Sequence, residues 1–117
     1  MATFTKIPFS GSTNGRGIQV SATATAGTLV HTAVSGTTNF DEVWLYAENS
    51  STTAVMLTVE FGGTSAATDT IEITIPGKSG LVLVCPGLFL NNGLAVRAFA
   101  GTTNVLSIFG YVNRVTA

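Results

Sequence analysis

A side-chain alternation with a period of two runs through most of this chain, and it constrains the fold more than any other feature. Apolar residues alternate with polar ones through 54–61 and again through 71–75. β-Branched residues dominate these runs, and clusters of Gly, Asn, Ser and Pro separate them, which is typical of short β-strands. No segment has the 3.6-residue period of a helix. We predict about eight strands, at 18–24, 28–34, 42–48, 54–61, 71–75, 81–84, 94–100 and 105–115.

The way these strands connect predicts the fold class. Parallel neighbours need a long crossover, usually a helix, so short strands without helices indicate an all-β, antiparallel two-sheet sandwich of jelly-roll or Greek-key type. Segments 18–24 and 28–34 are predicted to form a hairpin, and Asn91-Asn92-Gly93 predicts a second tight hairpin turn. Gly110 predicts a bulge or a bend inside the last strand.

The first 17 residues differ from the rest of the chain. Phe4, Ile7 and Phe9 stand among Thr, Ser, Gly and Pro and do not continue a long alternation. We interpret residues 1–17 as an extended N-terminal arm and residues 18–117 as the β-sandwich domain, and 117 residues are enough for one core. The arm is expected either to pack on its own sandwich or to reach a neighbouring subunit.

The composition excludes several classes of protein. Charged residues make up 9% of the chain, hydrophobic residues 45%, and the formal net charge is −1. Disorder is excluded by this hydropathy, and no basic field exists to attract nucleic acid. No apolar run is long enough for a membrane helix, and the N-terminal residues lack the apolar core of a secretory signal, so we expect synthesis in the cytoplasm. So few charges keep a free chain poorly soluble, which favours a place inside an assembly.

Residues that could carry catalysis or bind a metal are scarce. His31 is the single histidine and is expected to be a packing or surface residue, and Cys85 is predicted to be a buried structural thiol. One Cys and one His cannot make the usual zinc sets, and no serine lies in a nucleophile-elbow motif. Glu60 and Glu72 fall on the polar phase of their strands, which predicts a solvated face. We therefore predict a non-enzymatic protein without a catalytic site, metal or cofactor.

Trp44 and Tyr46 share one face of a strand whose other face carries Val43, Leu45 and Ala47. Both faces cannot belong to one core. Either the two aromatic rings are buried and the small residues face outward, or the rings lie on an open face. On an open face they would anchor a protein contact or stack on sugar rings.

Three stretches resemble small tailed-bacteriophage virion proteins of the head decoration or cement type. These stretches are Val43-Trp44-Leu45-Tyr46-Ala47-Glu48-Asn49, Thr58-Val59-Glu60-Phe61-Gly62-Gly63 and Gly110-Tyr111-Val112-Asn113-Arg114-Val115. The resemblance implies a sandwich with a leading arm that clasps the major capsid protein. It also implies trimers, or fewer copies, at local symmetry axes on the capsid surface.

The leading hypothesis is therefore a structural protein that stabilises a phage head by bridging major capsid subunits, with a homotrimer favoured. Capsid contacts are expected from Phe4, Ile7, Phe9 and Arg16, and a subunit interface or stacking surface from Trp44, Tyr46 and Tyr111. No nucleic acid, membrane or cofactor is expected as a partner. Two alternatives stay open: a carbohydrate-binding adhesin, and a tail, baseplate or fibre component of the virion.

Overall fold

The computed structural model describes residues 2–117, and over that range the chain forms nine β-strands and no helix. The strands are β1 (Thr3–Pro8), β2 (Ile18–Gln19), β3 (Thr28–Thr32), β4 (Phe40–Asn49), β5 (Val55–Phe61), β6 (Thr70–Ile75), β7 (Val82–Leu90), β8 (Ala95–Ala100) and β9 (Leu106–Thr116). Within this range there is accordingly no helix able to cross a membrane.

The two halves of the chain pair with each other like one long hairpin that folds back between β5 and β6. From that point outward, β5 pairs with β6, β4 with β7, β3 with β8, and β1 and β2 with β9, always antiparallel. Further pairing of β4 with β9 and of β5 with β8 wraps this ladder into two sheets. Sheet A has the order β1-β9-β4-β7, with β2 also beside β9, and sheet B has the order β3-β8-β5-β6. An antiparallel ladder wrapped in this way is a jelly roll, and the predicted two-sheet sandwich is confirmed.

The core lies between the sheets and is built from alternate residues of each strand. In β4 the odd-numbered residues are buried and the even-numbered ones are partly exposed, without exception. The fully buried apolar residues of the central strands are Val43, Leu45, Ala47, Leu57, Val59, Val96, Ala98, Ala100, Leu106, Ile108 and Val112. The other phase of sheet A therefore points away from the core.

The N-terminal segment is part of sheet A, and the structure shows no separate arm among residues 2–17. β1 pairs with β9 over its whole length, from Thr3 opposite Thr116 to Pro8 opposite Tyr111. After it, Phe9 is buried in the core and the Gly11 N–H donates to the Val30 carbonyl. This pairing satisfies the backbone groups at the edge of β9. Residues 3–8 are too few to show a long alternation, so the sequence did not reveal them as a strand. Met1 lies outside the described residues.

Both predicted hairpins are wrong, although the turn residues behave as expected. β2 pairs with β9 in sheet A while β3 pairs with β8 in sheet B, so these neighbours in sequence belong to different sheets. Asn92 and Gly93 have positive φ angles, as the turn prediction requires. Their turn, however, carries the chain from sheet A to sheet B, and the Asn92 N–H donates to the Gly36 carbonyl of another loop.

Gly110 marks a close approach between two strands. The register between β4 and β9 runs through Gly110 without a shift, so the predicted bulge is absent. Its φ angle is 142°, and a Cβ built there would lie 2.0 Å from the carbonyl oxygen of Trp44. The position therefore requires glycine, because any side chain would push β9 away from β4.

We predict that Gly110→Ala lowers the free energy of unfolding by about 3 kcal/mol, since both the backbone conformation and the contact with β4 are lost. Urea denaturation followed by circular dichroism measures this loss. Gly36→Ala is the matched control, because Gly36 also has a positive φ but open space around it, and it should cost about 1 kcal/mol. Equal losses in the two variants would show that the strand approach at Gly110 is unimportant.

Candidate functional site

Sheet A carries most of the chain's aromatic side chains on the face that points away from the core. The chain has seven Phe, two Tyr and one Trp. We call this surface the aromatic face, and define it by Phe4, Phe40, Trp44, Tyr46, Phe89, Phe109 and Tyr111. It groups seven of the ten aromatic residues of the chain on one surface outside the core, so it is the candidate functional site.

The register of the four strands brings these residues together. Directly paired residues of antiparallel strands point to the same side of a sheet. Trp44 is paired with Tyr111 on one side and Pro86 on the other, and Tyr46 is paired with Phe109 and Leu83. Residues that are far apart in sequence thus form continuous rows across the sheet.

Trp44 lies at the centre of the aromatic face and packs flat on its neighbours. Its ring is nearly parallel to that of Tyr111, at an interplanar angle of 16° with the centroids 6.4 Å apart. On the other side it lies against Gly87, where a Cβ would come within 2.9 Å of the indole ring. A register shift next to Trp44 leaves Gly87 unpaired in β7, which makes room for the ring.

One polar row crosses the face. The Lys6 ammonium lies 4.2 Å from the centroid of the Tyr111 ring, a cation–π contact. In the same row the Asn113 amide donates to Glu42 at 3.5 Å. Among residues 2–117, the Trp44 indole nitrogen is the one buried side-chain polar atom without a hydrogen-bond partner. Packing, and not hydrogen bonding, therefore holds the indole in place.

The rim of the aromatic face is open to solvent. Phe4 is 66% exposed and Phe89 is 58% exposed, and Phe89 stacks on Phe40 with a centroid distance of 4.6 Å. Leu83 and Leu81, in and just before β7, are also exposed. Large apolar side chains are thus left in water at both edges of sheet A.

The structure separates the residues that the sequence grouped. Phe4, Trp44, Tyr46 and Tyr111 lie together on the aromatic face, so the expected arm contact and the expected subunit interface form one surface. Phe9 and Ile7 do not belong to it: Phe9 is buried in the core, and Ile7 points to the core side opposite Val112. Arg16 is exposed in the connector between β1 and β2, next to a glycine that lies against the Phe109 ring. Its contact role stays a prediction.

Sequence reasoning missed three members of the face. Phe40 and Phe109 follow the same two-residue alternation as Trp44 and Tyr111. This alternation could have predicted that they share the outer face of sheet A. Phe89 gave no such signal, because Pro86-Gly87 interrupts its segment and β7 continues through them with two register shifts.

Away from the aromatic face, a buried cluster joins the two sheets. The fully buried Asp41 carboxylate accepts hydrogen bonds from His31 Nε2 at 2.8 Å, from Arg114 at 2.8 and 3.0 Å, and from the Val34 N–H. The backbone N–H of Ser10 donates to His31 Nδ1 at 3.0 Å. Since Nδ1 accepts a hydrogen bond, the imidazole is neutral and its Nε2–H donates to Asp41.

Burial and charge set the protonation of this cluster. Desolvation lowers the pKa of His31 below 6.5, and the opposing effect of Asp41 does not overcome it. Burial alone would raise the pKa of Asp41, but the hydrogen bonds from Arg114 and His31 outweigh it and lower the pKa below 3.8. The buried side-chain polar atoms of the cluster all have partners inside the fold, which indicates a structural role.

Two other sequence predictions meet the structure here. Cys85 is fully buried, as predicted, and burial raises its pKa to about 12. Glu60 is buried, and the prediction of a solvated position is wrong. Its carboxylate accepts hydrogen bonds from the Thr25 hydroxyl and the Gly27 N–H, because the loop before β3 folds over this part of sheet B. No group of three or more His, Cys, Asp or Glu residues suited to a metal ion occurs within 2–117.

Comparison with protein families, with curated proteins and with solved structures found no match.

We predict that the free energy of unfolding falls as the pH drops below about 6.5, because the unfolded chain then binds a proton that buried His31 resists. The slope is at most about 1.4 kcal/mol per pH unit for one group. Urea titrations at a series of pH values between 7.5 and 5.0 measure this slope. The whole window lies above the lowered pKa of Asp41, so that group stays ionised throughout.

His31→Gln is the control for this prediction, because the chain has no other histidine. Whatever its effect on overall stability, this variant should flatten the profile between pH 7.5 and 5.0. An unchanged slope in the variant would show that His31 is not the group responsible.

Proposed function

We propose that this chain is a non-enzymatic structural protein of a tailed-phage particle. It acts as a head decoration or cement protein that stabilises the capsid by bridging major capsid subunits. The observation that carries the proposal is the aromatic face, an open apolar surface on a chain in which only 9% of residues are charged. Its contact with capsid protein is the proposed mode of action.

The size of the aromatic face supports a protein partner. Four strands about 4.8 Å apart, with about eight residues rising about 3.3 Å each, give a surface of roughly 19 by 27 Å, or about 500 Å² in projection. This area, which includes the polar groups of Lys6, Glu42 and Asn113, lies within the ~300–600 Å² of the largest apolar patch on a typical monomer, and such a patch is often functional. Covering it would bury about 1,000 Å² on the two partners together, which is close to the lower limit for a specific interface.

The chemistry of the aromatic face also supports a protein partner. Trp and Tyr, the types enriched at interface hot spots, lie at its centre, while Lys6, Glu42 and Asn113 supply a few polar groups. Interfaces commonly have an apolar centre with polar groups placed among it or around it. Each bound copy would then stabilise the shell by mass action, since capsid subunits could separate only by losing these contacts.

The fold is compatible with the proposal and does not decide it. Jelly rolls occur in viral capsid proteins and also in lectins. Function therefore has to be argued from the surface and not from the architecture.

Carbohydrate binding is the second candidate, and the parallel rings of Trp44 and Tyr111 favour it, because such rings suit sugar stacking. Two observations weigh against it. Lys6 lies over the Tyr111 ring where a sugar would stack, and the exposed rim consists of Phe and Leu, which cannot hydrogen-bond to hydroxyls.

We predict that Phe89→Ser weakens binding to capsid shells by tenfold or more, because the exposed ring is lost from the aromatic face. Co-sedimentation of the full chain with shells assembled from the major capsid protein of the proposed parent phage measures the affinity. Met56→Ser is the matched control, since Met56 is also half-exposed but lies on the outer face of sheet B.

Equal binding by the two variants would remove the aromatic face from the mechanism. Binding to tail or fibre assemblies but not to shells would relocate the protein within the virion. Binding to a glycan array that Trp44→Ala abolishes would favour the carbohydrate alternative. Deleting the N-terminal segment is a poor test, because it removes β1 and the buried Phe9 together.

A further inference from the structure

The two sheets end in four edge strands, and over residues 2–117 three of these edges are protected. β1 carries Lys6 and ends in a proline, and β7 contains Pro86 and two register shifts. The edge of β3 is covered by the connector after β1, where Gly11 N–H donates to the Val30 carbonyl and the Thr32 N–H donates to Ser10 Oγ. Lysine, proline, bulges and covering loops are the usual means of preventing strand addition.

The fourth edge, β6, has none of these protections. Its sequence, Thr70-Ile71-Glu72-Ile73-Thr74-Ile75, contains no proline, glycine or lysine, and its pairing with β5 is regular over six residues. β-Branched residues in such a run have high strand propensity. Between Thr70 and Thr74, no backbone group bonds to a segment other than β5 within the described chain.

The side chains of β6 also indicate a missing neighbour. Ile71 and Ile73 pack against the core but stay only partly buried, whereas Ile75 at the end of the strand is fully buried. On the other side of the sheet, Glu72 and Thr74 are exposed. A further strand beside β6 would extend the core over the two isoleucines and occupy the free backbone groups.

We propose that β6 pairs antiparallel with β6 of a second copy of this chain, which joins two four-stranded sheets into one of eight strands. Strand overlap and charge together select the register. Centring the pair on Ile73 or Glu72 pairs five residues of β6, whereas centring it on Ile71 or Thr74 pairs only three. With Ile73 on the two-fold axis, Glu72 of each copy lies opposite Thr74 of the other and can accept its hydroxyl hydrogen. With Glu72 on the axis, two carboxylates would face each other and repel.

The symmetry of this pairing has a consequence for the particle. Directly opposed residues of antiparallel strands point to the same side, so the two-fold axis is perpendicular to the sheet. Both copies of sheet A then lie on the same side, and both aromatic faces point in the same direction. Such a dimer could contact two capsid subunits at once. The pairing itself rests on the β6 edge and does not depend on the proposed function.

The test is the oligomeric state of the full chain and of charge variants at Thr74, measured by sedimentation velocity over a concentration series. We expect the wild type to be a dimer. Thr74→Glu places a glutamate of each copy opposite Glu72 of the other, which makes two like-charge pairs, and it should raise the dimer dissociation constant about tenfold or more. Thr74→Lys, at the same exposed site, should keep or strengthen the dimer through Lys–Glu attraction. The double variant Glu72→Lys with Thr74→Glu should restore dimerisation.

Cross-linking tests the register directly. Paired Cα atoms in an antiparallel ladder are about 4.5–5.5 Å apart, within the range that a disulfide spans. Ile73→Cys should therefore form a disulfide-linked dimer on mild oxidation, because the native thiol of Cys85 is buried. Leu29→Cys on the edge of β3 is the control and should stay monomeric on a denaturing gel.

A wild-type monomer at all concentrations, or a dimer that is equally stable in the Glu and Lys variants, would overturn the proposal. A trimer would do so too, because a two-fold pairing of β6 cannot produce one. Shell binding is scored separately. If the wild type is a dimer that does not bind shells and Thr74→Glu is a monomer, the β6 pairing is supported and the capsid role is not. If the wild type is a monomer that binds shells, the capsid role is supported and the β6 pairing is not.

Discussion

The ten-residue ladder between β4 and β9 sets the position of every residue on sheet A. It runs without a shift from Phe40 opposite Val115 to Asn49 opposite Leu106. A slip of one residue would exchange Trp44 and its row with the core residues beside it, because side chains alternate with a period of two. Gly110 prevents such a slip, since the close approach to the Trp44 carbonyl tolerates no side chain there. Both the core and the aromatic face depend on this register.

The same ladder carries the buried polar cluster. Asp41 and Arg114 are directly paired across β4 and β9, and His31 reaches Asp41 from sheet B. Through the Ser10 N–H, the cluster also anchors the chain just after β1. A buried carboxylate is costly unless it is fully hydrogen-bonded, and here each oxygen has donors. The cluster therefore joins the two sheets and the N-terminal segment at one point.

Sheet A carries large apolar side chains on both faces, while sheet B leaves one edge without protection. Neither feature helps a free monomer, because apolar side chains remain in water and backbone groups remain unpaired. Both become favourable when other chains cover them. In the proposed assembly, contacts between copies or with a shell would also replace the solvation that charges normally provide. The exposed apolar side chains, the open edge and the scarcity of charge therefore support the same proposal.

Four features could be predicted from the sequence alone: the all-β class, the approximate strand positions, the buried thiol of Cys85 and the shared face of Trp44 and Tyr46. Local alternation and turn residues encode these features. Folding in three dimensions sets which face is the core, that residues 3–8 form a strand and that Phe89 joins Phe40. It also buries Glu60 and His31 with partners and leaves β6 open. These depend on pairing between residues as far apart in sequence as Thr3 and Thr116. The two-residue period specifies that a strand has two faces but not which neighbour it pairs with or which face it buries.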